Sequence, residues 1–215
     1  MTGDVLLRDV TEGDLPIFFE QQRDPAANRM AAFTAKDPAD RVAFTAKWAE
    51  ILGDESITNR TILFGGQVAG SIGAFVAPWS GKLEVTYWIG REFWGKGIAT
   101  KALAVFLSAV KARPLYARAA KDNIASIRVL EKCGFTITGY ERGFANARCE
   151  EVEEVVLELR AEAPEGRAKN AEPGAAADTP AMMVSRGATV CEAGVLVSCV
   201  VHAPMLAGHP CGGYP

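Results

Sequence analysis

The sequence has 215 residues, of which 49% are hydrophobic, and its 23 Lys and Arg nearly balance its 26 Asp and Glu, for a formal net charge of −3. This length and apolar content suit one well-buried domain with additional segments, and the near-neutral charge gives no electrostatic basis for nucleic acid as the main partner. The N-terminus lacks the features of a secretion signal, and no segment reaches the roughly 18 apolar residues of a membrane helix. We therefore expect a cytoplasmic protein with no membrane partner.

The first 53 residues predict a short strand followed by two helices. An apolar run opens the segment 5–22, and Thr11 stands where a side chain can cap the first turn of a helix. The segment 37–53 has apolar side chains at helical spacing, with Asp37 and Asp40 as alternative caps at its start. Helices with one apolar face indicate a sheet that they cover.

The middle of the chain predicts three antiparallel strands, a helix and a further strand. RTILFGGQVAGSIGAFVA (60–77) and KLEVTYWIG (82–90) are rich in β-branched and aromatic residues, and two adjacent glycines divide the first of them. IATKALAVFLSAVKAR (98–113) has an apolar face at helical spacing and ends before a proline, as that residue requires. PLYARAA (114–120) then predicts the next strand.

The last periodic part of the chain predicts a short helix and a pair of strands. NIASIRVLEKCG (123–134) has one apolar side and ends at a glycine, which is a common helix stop. FTITGYE (135–141) and EEVEEVVLELR (150–160) read as strands that pair around the segment between them. We expect one folded domain that spans residues 1–160.

The composition changes after Arg160. Residues 161–187 are rich in Ala, Pro, Gly and Glu and lack periodicity, which predicts a disordered linker. Residues 188–215 form an apolar tail that contains three cysteines and both histidines of the chain, and its role is left open. Their spacing is not a recognised zinc pattern, so no metal site is predicted.

The loop GREFWGKGIAT (90–100) indicates an anionic ligand. It differs from a nucleotide-triphosphate loop at its last position, because Gly97 cannot supply the hydroxyl that holds magnesium. It also lacks the third glycine of a dinucleotide fingerprint, since that position is Thr100. Both motifs share glycines that turn backbone N–H groups toward a phosphate at a helix N-terminus, which predicts a pyrophosphate on residues 95–100. A tight turn without a ligand is the alternative.

Two motifs together resemble the GNAT superfamily of N-acetyltransferases, most closely the branch that includes the N-terminal acetyltransferases of ribosomal proteins. They are YWIGREFWGKGIATKAL (87–103) and, after one strand, NIASIRVLEKCGF (123–135). The resemblance covers about residues 5–160. It implies an α/β fold with a mixed, mostly antiparallel sheet and helices on both faces. In this fold the central strands splay apart and acetyl-coenzyme A enters the gap.

The resemblance also implies which residues bind acetyl-CoA. In the family, the coenzyme pyrophosphate rests on backbone N–H groups of the glycine loop, and the pantetheine and thioester lie along the preceding strand. In the ribosomal-protein branch, an Asn of the second motif binds pantetheine and a Ser lies near the thiol. The corresponding residues of this chain are Tyr87, Trp88, Ile89, Trp94, Gly95, Lys96, Gly97, Ile98, Ala99, Thr100, Asn123 and Ser126.

Acetyl transfer to an amine needs a base for the ammonium proton, and a carboxylate must supply it because the 1–160 segment contains no histidine. Glu84 lies in an otherwise apolar strand, where alternation places it on one face with Thr86 and Trp88. We predict that Glu84, or a water that it holds, is the base. An ion-paired structural acid is the alternative.

The leaving thiolate also needs a proton donor, for which the sequence offers three candidates. Much of the superfamily uses a tyrosine of the second motif, but Leu130 occupies that position. Ser126 is the donor that the branch resemblance implies, and Tyr116 and Tyr140 are alternatives. For Asn123, simple capping of the helix is the alternative to ligand contact.

The sequence therefore predicts an acetyl-CoA-dependent N-acetyltransferase in which a primary amine attacks the thioester directly within a ternary complex. The acceptor is a peptide or protein N-terminus or a small amine, and the protein is a monomer or homodimer. A binding module of the same fold, which senses acyl-CoA or serves as a scaffold without catalysis, is the alternative function.

Overall fold

A computed structural model describes residues 3–161, which form one seven-stranded sheet with five α-helices. The strands are β1 (Val5–Arg8), β2 (Thr58–Phe64), β3 (Gln67–Val76), β4 (Leu83–Ile89), β5 (Leu115–Ala120), β6 (Thr136–Ala145) and β7 (Glu150–Leu159). The helices are α1 (Leu15–Gln22), α2 (Pro25–Ala31), α3 (Arg41–Gly53), α4 (Ile98–Ala109) and α5 (Ile124–Lys132).

The sheet is mixed and mostly antiparallel, in the order β1-β2-β3-β4-β5-β7-β6. Strands β1 to β4 pair antiparallel, and so do β5, β7 and β6. The parallel pair β4 and β5 joins the two halves, and its pairing is confined to Glu84 and Tyr116. The fold class predicted from the sequence is thus confirmed, including the separation of the central strands.

Helices cover both faces of the sheet. On one face, α4 and α5 pack on the main core, to which β4 contributes Val85 and Tyr87. On the opposite face, α1 and α3 bury a second cluster that contains Phe18 and Trp48. Helix α2 also lies on that opposite face, where two of its alanines pack against Trp88. The alternation predicted for β4 therefore divides its side chains between two different layers.

Helix α2 is an element that the sequence did not predict. It has only seven residues, begins with Pro25 at its first position, and is capped by Asp24, whose Oδ1 accepts a hydrogen bond from the Ala27 N–H at 2.8 Å. Two turns are too short for periodicity to be recognised. At the start of α3, the two alternative caps resolve to Asp40, whose Oδ1 accepts from the Ala43 N–H at 2.9 Å.

Residues 162–215, which include nearly all of the predicted linker and the whole apolar tail, lie outside the described residues. The predicted boundary near residue 160 stays a prediction. Between residues 3 and 161, no helix is long and apolar enough to cross a bilayer.

Candidate active site

A cleft opens where β4 and β5 separate beyond Glu84 and Tyr116. Its cavity has a volume of about 500 Å³ and is bounded by the end of β4, the glycine loop, the start of α5 and one side of α2. Among its lining residues are eleven that the sequence predicted for the site: Tyr87, Trp88, Ile89, Trp94, Gly95, Gly97, Ile98, Ala99, Thr100, Asn123 and Ser126. Lys96 and Glu84 are predicted site residues that do not line it.

The glycine loop leads into α4 through two left-handed residues, Gly95 with φ of 74° and Gly97 with φ of 72°. A Cβ atom at either position would meet nothing within 4 Å, so the space above both is open. Gly97 is the N-cap of α4 and supplies no side chain to the first turn. The N–H groups of that turn lack intrahelical partners, and together with the helix dipole they favour an anion at the mouth of the cleft.

Side chains around the loop are tied back to its own backbone. The Trp94 indole Nε1–H donates to the Ile89 carbonyl at 2.8 Å, and the Lys96 ammonium donates to the Glu92 carbonyl at 2.9 Å. These two bonds hold both side chains against the backbone of the loop and of the strand end before it. Binding of an anion by main-chain N–H groups of this loop stays a prediction.

The β4 edge that faces the cleft presents backbone N–H groups to it. The N–H of Gly90 donates to the Ala69 carbonyl at 2.9 Å, toward β3. Because N–H groups alternate between the two edges of a strand, those of Tyr87 and Ile89 point away from β3 and toward the gap. The register between β3 and β4 is continuous, so it is the separation of β4 from β5, and not a bulge, that opens this edge of β4 to the cleft.

The start of α5 forms the other wall of the cleft. The Asn123 Oδ1 accepts a hydrogen bond from the Ser126 N–H at 3.1 Å, so Asn123 caps the helix as well as lining the cavity. The Asn123 Nδ2 donates to the Met30 carbonyl at 3.4 Å and connects α5 to α2. The Tyr87 hydroxyl lies 2.7 Å from the Ser126 Oγ, a contact in which either hydroxyl can be the donor, and 3.3 Å from the Ser126 carbonyl oxygen.

A buried charge cluster lies on the face of the sheet opposite α4 and α5. Side chains that are directly opposite in a ladder share a face, and the register places Glu84, Arg118, Glu141 and Glu154 on that side. The Arg118 Nε donates to Glu84 at 3.1 Å, its Nη1 lies 3.3 Å from the Glu154 Oε1, and it also binds Glu141. Arg118, Glu84 and Glu154 are each at most 3% exposed.

Burial is the largest influence on the pKa values of Glu84 and Glu154. Burial raises the pKa of Glu154 to about 7, although Arg118 opposes this shift. Burial also raises the pKa of Glu84, against the effect of the same guanidinium and of a hydrogen bond from the Ser80 hydroxyl. Three carboxylates share one guanidinium here, so the cluster holds excess negative charge whenever all three are ionised.

Glu84 thus lies outside the lining of the cleft and forms a salt bridge with Arg118. This is the environment of an ion-paired structural acid, which was the alternative to its role as the base. Its role as the base stays a prediction. The two alternative proton donors are also outside the lining. The Tyr116 hydroxyl lies 3.4 Å from the Glu158 Oε1, and Tyr140 is an exposed residue of β6.

Several residues that line the cleft were not predicted. Arg128 and Lys132 follow Ser126 on the cleft side of α5 and are exposed cations that can attract phosphate. Their spacing of four on a helix is the signal that could have found them. Ala27 and Met30 come from α2, which the sequence did not reveal. In the described part of the chain, no group of three or more His, Cys, Asp and Glu residues could hold a metal ion.

Comparisons with known proteins show a family and a shared fold. Residues 4–136 match the family described as "Acetyltransferase (GNAT) domain". A ribosomal-protein-alanine N-acetyltransferase from Brucella melitensis has 21% sequence identity and a TM-score of 0.62, over 73% of this chain and 99% of that one. Mycobacterium smegmatis RimJ in complex with CoA-disulfide has 20% identity and a TM-score of 0.62, over 77% and 86%.

A third similar structure is microcin C7 self immunity acetyltransferase MccE in complex with acetyl-CoA and AMP. It has 16% identity and a TM-score of 0.60, over 74% of this chain and 93% of that one. No curated protein matches the sequence. At identities this low, the likeness to these structures shows the shared fold.

The raised pKa of Glu154 predicts how stability depends on pH. In the unfolded chain its carboxyl has an ordinary pKa near 4.5, whereas in the folded protein the pKa is about 7. The folded state binds the proton more tightly, so this group's contribution to stability is complete below pH 4.5 and is lost as the pH rises through 7. We expect the free energy of unfolding of Glu154→Gln to fall less than that of the wild type between pH 5 and pH 8.

Urea unfolding at the two pH values measures this difference. Glu151→Gln, at an exposed position of the same strand, is the matched control and should follow the wild-type curve. Equal pH dependence in Glu154→Gln and the wild type would contradict the assigned pKa.

Proposed function

Because the chain belongs to the family of GNAT acetyltransferase domains, for which acetyl-CoA is the cosubstrate, we propose that it transfers the acetyl group to a primary amine by direct attack within a ternary complex. The observation that carries the proposal is the open cleft between β4 and β5, with the glycine loop at its mouth. The cleft has space for an extended ligand, and the loop offers N–H groups for its phosphates.

In this proposal, the coenzyme enters along α4 and α5. Its pyrophosphate lies on the N–H groups between Trp94 and Thr100, and Arg128 and Lys132 supply positive charge near the phosphates. Lys96 adds charge from outside the lining. The pantetheine arm runs along Tyr87, Trp88 and Ile89 on one side and Asn123 on the other. This arrangement brings the thioester next to Ser126.

The proposed oxyanion site is the β4 edge at the gap. When the amine attacks, the carbonyl oxygen of the thioester becomes negatively charged, and a fixed donor in a site that excludes water stabilises it. The N–H groups of Tyr87 and Ile89 point into the gap and are the two candidates. A single donor of this kind typically lowers the barrier by about 3 kcal/mol.

We propose that the amine approaches from the face of the sheet that carries the charge cluster. Three carboxylates around Arg118 favour a cationic ammonium group over a neutral or anionic acceptor. A similar structure is by its name a ribosomal-protein-alanine N-acetyltransferase, which favours a peptide N-terminus as the acceptor. A small amine fits the same charge requirement.

The proton acceptor has two candidates in the cluster. Both carboxylates form a salt bridge with Arg118, and Glu84, the one that the sequence predicts, also accepts a hydrogen bond from the Ser80 hydroxyl at 3.2 Å, which favours a structural role for it. Glu154 lies opposite Ala120, at the end of β5 where the strands have separated, and its pKa of about 7 suits proton transfer near neutral pH. We therefore place the proton acceptor at Glu154, acting through water.

A screen of amines with acetyl-CoA tests the proposed reaction. Peptides with free N-termini, polyamines and aminoglycosides would each be mixed with the full-length protein and acetyl-CoA, and the free thiol would be measured. We expect thiol release with at least one class, matched by the acetylated product. Tight coenzyme binding without turnover for any amine would instead support the acyl-CoA sensor or scaffold.

The glycine loop gives a second prediction. Gly97→Ala places a side chain at a φ of 72°, which costs an L-residue about 1–2 kcal/mol. The backbone should shift away from that φ and misdirect the N–H groups of the first turn of α4. We expect the Kd for coenzyme A to rise roughly tenfold in calorimetry, which corresponds to about 1.4 kcal/mol.

Gly53→Ala is the matched control for this substitution. Gly53 is the last residue of α3, where the backbone is helical and a Cβ would meet nothing within 4 Å. Its variant should bind coenzyme A like the wild type. Unchanged affinity in Gly97→Ala would remove the loop from the binding site.

The proton acceptor is tested by the pH dependence of kcat. A base must be ionised to accept the proton, so kcat of the wild type should rise with pH through about 7. In Glu154→Gln we expect kcat to be about 100-fold lower and this rise to be absent. If kcat of Glu84→Gln no longer rises with pH while kcat of Glu154→Gln still does, the proton acceptor is Glu84 and not Glu154.

A further inference from the structure

The helix position that holds a catalytic tyrosine in much of the superfamily has no proton to give in this chain. Leu130 occupies it, and its side chain is fully buried in the main core. The thiolate that leaves coenzyme A must nevertheless be protonated, because expulsion of an unprotonated thiolate raises the barrier to collapse of the tetrahedral intermediate. The proton must therefore come from another group that borders the cleft.

A tyrosine reaches the start of the same helix from the opposite wall. The Tyr87 hydroxyl extends from β4 across the gap and lies 2.7 Å from the Ser126 Oγ, although the two residues are 39 positions apart in the chain. Both side chains are buried, at 9% and 8% exposure, and both border the cleft. Within residues 3–161, Tyr87 is the one tyrosine among the cleft-lining residues.

The chemistry of the two hydroxyls suits proton transfer in series. A serine hydroxyl has one proton to donate and two lone pairs, so it can accept a hydrogen bond from a phenol while it donates to sulfur. The ordinary pKa of tyrosine is about 10 and that of a thiol is about 8.5. A proton that moves from the phenol to the thiolate is therefore transferred uphill by only about 1.5 pKa units, a gap small enough for the phenol to serve as the proton source while the carbon–sulfur bond breaks.

Ser126 is the donor that the resemblance implies, and we propose that Tyr87 resupplies the proton that Ser126 gives to the coenzyme A thiolate, so the pair replaces the missing helix tyrosine. The inference rests on the proposed acetyl transfer. As the carbon–sulfur bond of the tetrahedral intermediate breaks, its electron pair goes to sulfur. The Ser126 proton then moves to sulfur, the Tyr87 proton moves to the Ser126 oxygen, and the phenolate regains a proton from solvent.

The test compares Tyr87→Phe, Ser126→Ala and the double variant with the wild type, using the acceptor found in the amine screen. Each single variant removes one hydroxyl and keeps the remaining shape, so the fold should persist. We expect kcat to fall about 100-fold in each, with little change in the KM for acetyl-CoA. Because the two act as a unit, the double variant should be no slower than the slower single variant.

The pH profile separates proton donation from a structural contact. A donor must be protonated, so kcat of the wild type should decrease at high pH, and this decrease should be absent from Tyr87→Phe. Tyr116→Phe removes a phenol hydroxyl outside the cleft and is the matched control. Its kcat and pH profile should equal those of the wild type.

Three outcomes would overturn the inference. The first is a Tyr87→Phe enzyme with unchanged kcat and the wild-type decrease at high pH. The second is a loss of activity that appears only as a raised KM or a lowered Tm, which would show that the Tyr87–Ser126 contact merely braces the two walls. The third is a wild type that binds coenzyme A but acetylates no amine, which would remove the proposed function and this inference with it.

Discussion

The architecture of the site depends on one buried guanidinium. Strands β4 and β5 pair only at Glu84 and Tyr116, and just beyond that point Arg118 binds Glu84 of β4, Glu154 of β7 and Glu141 of β6. These contacts join the two halves of the sheet beside the gap. Removing one partner of a buried ion pair commonly costs about 3–5 kcal/mol, because the other charges remain buried without compensation.

A sheet that is held together at one end of the gap can stay open at the other. The opening gives the cleft two sides with different chemistry. On the side of α4 and α5, main-chain N–H groups and exposed cations suit the phosphates of a coenzyme. On the other face, carboxylates outnumber the guanidinium and suit an ammonium group. In the proposed reaction, a thioester in the gap meets an amine from the opposite face of the sheet.

Glu84 and Asn123 each had two alternative roles in the sequence, and the structure bears on them differently. Glu84 was predicted to be a base because an acid is unusual in an apolar strand. In the structure, a salt bridge with Arg118, 34 residues away, also accounts for an acid at this position. Asn123 had two alternative roles, and it fills one as the cap of α5 while it also borders the cleft. A local role and a ligand contact are compatible when the helix N-terminus itself forms the wall.

The sequence by itself determined the elements with strong periodicity, the antiparallel strands before the glycine loop, and the glycine turn into α4, because all of these depend on neighbours within a few residues. It could not determine α2, whose two turns are too short for a periodic signal. Only the tertiary structure decided that Arg118 neutralises Glu84 and that the hydroxyl of Tyr87 meets Ser126. Such partnerships join distant segments, and strand register and helix packing set them rather than local sequence.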